Sequence, residues 1–578
     1  MNSILYIKIN KELNSIIKFI GGKEMKKRLI AVLMAVAMVG TLAVGCGSNK
    51  DNSTGSSNAK SADEKVLHLE GGNPETLDSL TGTSGDSVGV IREVMEGLGR
   101  FVKKGGQDVL EPAGAESWET SDDGLTWTFH LRNHKWSDGK DVTAEDYVYA
   151  FQRMFDPDTA SSGVEFFLSL ENAQEIVDGT KKPENIGVSA PDDKTVVFKL
   201  TKPVPYFEMI LGSPVAFPQR KDIVEKYGDQ YGADKDSVVY NGPFTVDEWT
   251  PGSKVILAKN DTYWDKDSVK LDKVELLYID DDTSAMTMLK NGELDAHTAN
   301  AKWEDEIMAT GDFDLVEAPF PAGMRDIFNV DTPLLKSPKV RLALTLAKDR
   351  EELNNTLFDG YYEPAYGWIM PAITCQGINF REKAGDPLKE AAAQYTDLEA
   401  LFKEGLQEEG IDPNEKPTLK VLLGDSSADT QTAGELYKNE IESKLPITIE
   451  LESCTDNTDF MQRRKEGNFE MTFLHMNGAE YDDPSVFLNM YLTGAAANEG
   501  HYSNAKYDEL IKKAENSTDA EERLNLFIEA EKIMLVEDPA ISPTVYWNQN
   551  FFVSKKVKNL TAPAWVPLGF EYKYAEVE

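Results

Sequence analysis

Residues 111–153 read EPAGAESWETSDDGLTWTFHLRNHKWSDGKDVTAEDYVYAFQR and carry two clear structural patterns. Between Leu125 and Arg132, apolar and polar residues alternate, which is the period of a strand with one buried face. Thr143 and Asp146 then resemble a capping box at the start of a helix. The apolar face of that helix consists of Tyr147, Ala150, Phe151 and Met154. The stretch therefore predicts a strand followed by a helix that ends before Pro157.

The same two periods recur on either side of this stretch. The strand alternation is repeated by Val196, Phe198 and Leu200. Ser337-Pro338 predicts the start of a helix, because serine caps a helix and proline suits its first position. The apolar side of this helix consists of Val340, Ala343, Leu344 and Ala347. A later helix has an apolar side that consists of Tyr507, Leu510, Ile511 and Ala514. Because strands and helices are interspersed throughout, we expect α/β or α+β layers.

Length and charge limit the possible classes of protein. The chain has 578 residues, of which 41% are apolar, so the part from Lys65 onward should form two or three domains. The formal net charge is −39, which would repel a phosphate backbone and excludes nucleic acid as a partner. We interpret this acidity as a source of solubility outside the cell.

A basic cluster, a short apolar run and a small-residue site precede Cys46. The basic residues lie at 26–28, the apolar run spans 29–42, and the chain then reads Ala43-Val44-Gly45-Cys46. The run is shorter than the ~20 residues of a membrane-spanning helix, so it predicts an export signal. The site resembles the lipobox of bacterial lipoproteins. This resemblance implies that residues 1–45 are removed and that Cys46 carries a diacylglycerol. The alternative is an ordinary secreted protein with a free cysteine.

The residues around this signal have two further features. Met25 adjoins the basic cluster, so we expect the signal to begin there rather than at Met1. Residues 46–64 start with the lipidated cysteine and are rich in serine, asparagine and glycine, which predicts a flexible tether.

Signatures of catalysis and metal binding are missing from the sequence. The chain has no G-x-S-x-G elbow, Walker loop, C-x-x-C or G-x-G-x-x-G after a strand. His130 and His134 are close in sequence, but the predicted strand and the missing glutamate do not fit a zinc helix. We therefore expect no metal, no cofactor and no enzyme activity. Cys375 and Cys454 either form a disulfide or are small buried residues, and their spacing does not decide between these.

The stretch 111–153 also resembles the most recognisable block of the family 5 extracellular solute-binding proteins, the oligopeptide and dipeptide receptors of ABC importers. Similar blocks follow in the family's order and extend the resemblance from about Val66 to the carboxyl terminus. These blocks are ETLDSL (Glu75 to Leu80), MEGLGRF (Met95 to Phe101), NGPFTVDEW (Asn241 to Trp249), KNDTYWD (Lys259 to Asp265), KVRLALTLAKDREEL (Lys339 to Leu353) and AEYDDPSVFLN (Ala479 to Asn489).

The resemblance implies an α/β protein with a class II (cluster C) periplasmic-binding-protein-like fold. In this fold, two lobes are built from three domains and joined by a hinge. The implied domain I consists of residues 65–100, 203–300 and 545–578, domain II of residues 101–202, and domain III of residues 301–544. Domains I and II form one lobe, and two crossing segments connect it to domain III. Closure of the lobes requires a ligand that binds the closed form more tightly.

The resemblance also assigns a binding site. An aspartate of the family binds the α-ammonium of a peptide, and alignment on Tyr481 and Pro484 places Glu480 at its position. The residues implied to contact the ligand are Glu480, Tyr481, Asn477, Gly478, Ala479, Thr83, Ser84, Gly85 and Asn241. Glu480 is one methylene longer than aspartate, and Asn477 stands where tryptophan is common, so ligand length and terminal preference stay open. Arg463 and Arg464 are the nearest cationic candidates for a peptide carboxylate.

Two functions from different classes follow. The first is a monomeric lipoprotein on the extracellular face of the cell membrane. It binds an oligopeptide and delivers it to the permease subunits of an ABC transporter. The same architecture accepts a nickel chelate, haem, glutathione or a signalling peptide as alternative ligands. The second is a secreted hydrolase, for which the sequence offers no recognisable set of catalytic residues.

Overall fold

The computed structural model describes residues 64–104, 107–565 and 569–578. The predicted signal, the lipidation at Cys46 and the tether up to residue 63 lie outside the described residues. The strands are β1 (Val66–Glu70), β2 (Gly99–Lys104), β3 (Gln107–Pro112), β4 (Ala115–Thr120), β5 (Thr126–Leu131), β6 (Val188–Asp192), β7 (Thr195–Lys199), β8 (Phe244–Thr250), β9 (Lys254–Lys259), β10 (Lys273–Leu277), β11 (Ala296–Thr298), β12 (Phe313–Ile327), β13 (Glu363–Pro364), β14 (Thr374–Cys375), β15 (Ile378–Asn379), β16 (Thr418–Leu423), β17 (Thr448–Ser453), β18 (Met471–Thr472), β19 (His475–Gly478), β20 (Ile541–Ser554), β21 (Val557–Lys558) and β22 (Glu576–Val577).

Helices are interspersed among these strands, as the sequence predicts. The α-helices are α1 (Gly85–Val94), α2 (Ala144–Met154), α3 (Ala173–Val177), α4 (Phe207–Ile210), α5 (Lys221–Tyr227), α6 (Asp282–Lys290), α7 (Ala301–Met308), α8 (Pro338–Ala347), α9 (Arg350–Leu357), α10 (Phe380–Ala384), α11 (Pro387–Gln394), α12 (Leu398–Glu408), α13 (Ala428–Lys444), α14 (Asn457–Lys465), α15 (Ser485–Leu488), α16 (Ala505–Asn516) and α17 (Ala520–Lys532). Short 3-10 turns lie at Ser162–Phe167, Pro183–Asn185, Pro214–Ala216, Gly228–Gln230, Lys235–Ser237, Pro333–Leu335 and Asn489–Tyr491, and a π turn at Ile533–Glu537.

The stretch 111–153 forms part of an antiparallel sheet with the order β4-β5-β7-β6. Burial alternates along β5, and its buried Phe129 pairs with Val196 of β7. Helix α2 starts with the capping box of Thr143 and Asp146. Its apolar face is buried in the same core, which confirms both the predicted strand and the predicted helix.

The largest sheet of the described chain has the order β19-β12-β20-β11-β1-β10-β9-β8, and β13 also pairs with β20. Strands β12 and β20 are its longest members and pair antiparallel from Phe313↔Ser554 to Ile327↔Ile541, with a register shift between Pro319 and Gly323. One end of the β12–β20 pair adjoins the core of β1, β8, β9 and β10, and the other end adjoins a separate core around Trp368. Two crossing strands therefore connect the two lobes, as the sequence analysis expects.

The second lobe contains a small parallel sheet with the order β17-β16-β18. Helices α13 and α14 connect its strands in sequence. Ser337 caps α8, and the side of α8 that is apolar in the sequence is buried against this sheet. Helix α16 buries the predicted side that begins with Tyr507 in the other core of this lobe.

The predicted domain limits stay predictions. The cores follow them broadly, but the side chain of Ile307 in α7 packs with α6, Phe313 and Phe552. The first lobe therefore continues past residue 300 into the first half of β12.

Cys375 and Cys454 are free and buried, so the structure does not pair them. Burial raises the pKa of the Cys375 thiol to about 12. His134 is buried, its Nδ1 contacts the carbonyl oxygen of Arg132 at 3.0 Å, and burial lowers its pKa to about 4. Within the part of the chain that the structure describes, no group of acidic, histidine or cysteine side chains is arranged to hold a metal, and no helix has the length and apolarity to span a membrane.

Candidate functional site

Strand β19 is the last strand of the largest sheet, so it presents one open edge. It pairs antiparallel with β12 from Gly478↔Ala322 to His475↔Arg325, and the N–H of Ala479 donates to the carbonyl oxygen of Pro321 at 2.7 Å. Hydrogen bonding alternates along an antiparallel pair, so the backbone groups of Gly478 and Met476 point away from β12. The carbonyl oxygen of Gly478 accepts a long hydrogen bond of 3.4 Å from Nδ2 of Asn477, and an added strand would replace this bond.

Glu480 follows this strand at the start of a turn. Its side chain is exposed, and no salt bridge involves it among residues 64–104, 107–565 and 569–578. The surrounding protein nevertheless removes water from its carboxylate and raises its pKa above 4.5, and the charge of Glu165 in the first lobe raises it further. A cation beside Glu480 would relieve both effects.

The next two acids of the same turn have partners. The Oδ1 atom of Asp482 accepts from the N–H of Thr374 at 2.6 Å, and its Oδ2 accepts from the Thr374 hydroxyl at 2.7 Å. Burial raises the pKa of Asp482 to about 7 in spite of these bonds. Asp483 is fully buried and accepts from Nη1 and Nη2 of Arg523 at 2.9 and 3.1 Å. Of these three acids, Glu480 is the one without a protein partner in the described chain.

Tyr481 forms a contact between the two lobes. Its ring stacks on the ring of Tyr206, with centroids 4.3 Å apart and an interplanar angle of 4°. An ion pair between Lys202 and Glu515 of α16, 3.6 Å apart, is a second contact between the lobes. The sequence does not identify Tyr206 as part of the site, because no local pattern shows which aromatic ring faces Tyr481.

A cavity of about 740 Å³ lies between the lobes next to this contact. Its walls include Tyr206 and Glu208 from the first lobe and Asp482 from the second. Burial raises the pKa of Glu208 to about 7 and also raises the pKa of Asp108, whose nearest cation is Lys103 at 3.7 Å. This interlobe cavity therefore has a wall that is richer in carboxylates than in cations.

The predicted contacts of the first lobe differ in their surroundings. Thr83 and Gly85 are exposed at the start of α1, and Ser84 caps this helix by accepting from the N–H of Ser87 at 3.2 Å. The assignment of Thr83, Ser84 and Gly85 as ligand contacts stays a prediction. Asn241 is only 1% exposed, and its amide binds the backbone N–H and carbonyl oxygen of Glu96 at 3.0 and 2.8 Å. The prediction that Asn241 reaches the cleft is wrong, because this side chain holds two loops together.

The cationic candidates for a peptide carboxylate already have anionic partners. Arg463 pairs with Glu452 at 2.8 Å, and Arg464 pairs with Glu499 at 2.5 Å. Arg464 is 4% exposed and contacts His475 at 3.0 Å. Burial and the neighbouring arginines keep His475 neutral by lowering its pKa to about 2. The structure therefore favours a structural role for both arginines.

Comparison with known proteins places this geometry in a family. The family model of the bacterial extracellular solute-binding proteins, family 5, matches residues 109–499. This chain belongs to that family. The dipeptide-binding protein DppE of Bacillus subtilis is 31% identical over 543 residues, which cover 92% of this chain and 96% of DppE. Members of the family are substrate-binding receptors and not enzymes.

Solved structures confirm the fold. The unliganded open form of MppA, a periplasmic murein tripeptide binding protein, has a TM-score of 0.74 and 25% identity, with 89% of this chain and 98% of MppA covered. OppA of Listeria monocytogenes bound to peptide has a TM-score of 0.66 and 28% identity, with 89% of this chain and 99% of OppA covered. The two-lobed, class II binding-protein fold is thus confirmed.

Proposed function

We propose that this chain is a lipid-anchored extracellular receptor that binds peptides through their backbone and a free amino terminus, and delivers them to an ABC importer. One observation carries this proposal: the open edge of β19 is followed, two residues after its last residue Gly478, by Glu480, an acid without a cationic partner in the described chain. The edge and the acid are what an extended peptide with an α-ammonium group requires. The relatives named above bind peptides, which supports the same ligand class here.

The edge strand explains how varied peptides are accepted. Every peptide offers the same backbone N–H and carbonyl groups, so pairing with Gly478 and Met476 does not depend on ligand sequence. The α-ammonium of the ligand fixes the register by binding the Glu480 carboxylate. Glu165 of the first lobe raises the pKa of Glu480, so an ammonium group between the lobes interacts favourably with both carboxylates. This differential binding favours the closed arrangement over the open one.

Incubation of the purified protein with a mixture of defined peptides tests the proposed receptor function. We expect peptides to stay intact and to be recovered with the protein after gel filtration. Recovery of fragments supports the secreted hydrolase instead. Native mass spectrometry of protein from its own cells identifies the natural cargo, and a nickel chelate, haem or glutathione in place of a peptide contradicts the proposed ligand class.

The proposed lipid anchor is tested by Cys46→Ser. The variant should appear in the culture medium, because the thiol that accepts the lipid is removed, and it should bind peptides as tightly as the parent. Retention of the variant in the membrane fraction contradicts the anchor but leaves the receptor function intact.

A further inference from the structure

A second cavity, of about 520 Å³, lies entirely within the second lobe. It is placed at the carboxyl ends of the three parallel strands β16, β17 and β18. Gly424 directly follows β16, Asn457 begins the helix after β17, and Phe473 directly follows β18. In sheets of parallel strands and connecting helices, the carboxyl edge is where ligands bind. We name this cavity the second-lobe pocket.

The walls of the second-lobe pocket are mainly apolar. The large apolar side chains that line it are Leu357, Phe358, Phe460, Met461, Phe473, Leu474 and Met476. Met461 and Met476 are 46% and 43% exposed, and few other large apolar side chains of the described chain are exposed to this degree. Exposed apolar surface around a cavity marks a binding site, and methionine adapts its shape to different partners.

The second-lobe pocket adjoins the open edge of β19, because Leu474, His475 and Met476 form one of its walls. A peptide whose amino terminus lies at Glu480 must run antiparallel to β19, since the receptor chain turns away after Ala479. Its first residue then lies opposite Gly478 and its third opposite Met476. Directly opposite side chains lie on the same face of a sheet. Met476 lies ~13 Å along the strand from Glu480, a distance that the third residue of an extended peptide can span.

We propose that the second-lobe pocket binds the side chain of the third ligand residue and selects a large apolar side chain at that position. This inference rests on the proposed peptide-receptor function. Asp425 and Asp429 lie in the pocket wall and disfavour an acidic side chain or the carboxylate of a tripeptide. The pocket therefore adds side-chain specificity to a site that otherwise binds the ligand through its backbone.

Calorimetry with the parent protein tests the position and the chemistry. The probes are pentapeptides with free amino termini: all alanine, alanine with a single leucine at position two, three or four, and alanine with aspartate at position three. Leucine at position three should bind about tenfold more tightly than all alanine. Leucine at the other positions should have less effect, and aspartate at position three should weaken binding. Equal affinities for all three leucine peptides overturn the pocket, as does tighter binding of the aspartate peptide.

A variant pair tests which residues are responsible. Met461→Gln should reduce the preference for leucine over alanine at position three by several-fold. Met308→Gln is the matched control, because Met308 is 37% exposed on α7, away from the second-lobe pocket. It should keep the preference of the parent. An unchanged preference in Met461→Gln overturns the assignment. Failure of every pentapeptide to bind the parent overturns the receptor function and the pocket together, whereas binding without positional preference overturns the pocket alone.

Discussion

Glu480 and Asp483 belong to the same short turn and carry the same charge, yet their surroundings are opposite. Asp483 is fully buried between two hydrogen bonds from Arg523, which is itself 1% exposed. Glu480 is exposed, has no salt bridge in the described chain and has a raised pKa. The comparison shows that one acid of the motif stabilises the fold while another is left available for a ligand. Stability and binding should therefore respond separately to substitution.

The largest effect is expected from Asp483→Asn. This change removes one charge of a buried ion pair and leaves Arg523 without its counter-ion. Such changes cost about 3–5 kcal/mol of the free energy of unfolding. Urea denaturation of the parent and the variant measures this difference. A loss below about 1 kcal/mol would show that the pair is not the structural contact we describe.

A smaller effect, on binding rather than stability, is expected from Glu480→Gln. Loss of one charged hydrogen bond should weaken peptides with free amino termini by about 10- to 100-fold. The free energy of unfolding should change by less than about 0.5 kcal/mol, as for other exposed positions. Glu116→Gln is the matched control, because Glu116 is an exposed glutamate on β4. Equal loss of affinity in both variants would remove the distinction between Glu480 and an ordinary surface acid.

The pH dependence of binding should follow the same carboxylate. Partial desolvation of its carboxylate and the charge of Glu165 raise the pKa of Glu480, so this group takes up a proton at a higher pH than an ordinary glutamate. Only the ionised form attracts an ammonium group. Peptide affinity should therefore fall as the pH is lowered through the acidic range, and the fall should be absent in Glu480→Gln. Titration calorimetry at several pH values measures both curves, and parallel curves would contradict the role of this group.

The smallest effect is expected from Asp482→Asn at pH 5, where the carboxyl group of the folded parent is protonated. Asparagine keeps an acceptor for the N–H of Thr374, so the loss of unfolding free energy should be below about 1 kcal/mol. Burial raises the pKa of Asp482 in the folded state to about 7, above the ordinary value of an aspartate. The folded state therefore holds this proton more tightly, and the parent should lose stability from this group as the pH rises towards 7. The asparagine variant should lack that loss in urea denaturation at pH 5 and pH 7.

Local patterns predicted the parts of the fold that depend on neighbouring residues. The alternation in 125–132 became β5, and the capping box of Thr143 became the start of α2. The contrast between Glu480 and Asp483 could not be predicted in this way, because Arg523 lies 40 residues after Asp483 in the chain. The misassignment of Asn241 has the same cause, since its partner Glu96 is 145 residues away. The second-lobe pocket was also missed, because it depends on the arrangement of three parallel strands.

The most direct test of the central claim compares one peptide in two forms with the parent protein. Isothermal titration calorimetry is performed with a peptide that has a free amino terminus and with the same peptide acetylated at that terminus. Because acetylation removes the positive charge that Glu480 is proposed to bind, the acetylated form should bind at least about tenfold more weakly. Equal affinities for the two forms would contradict the account.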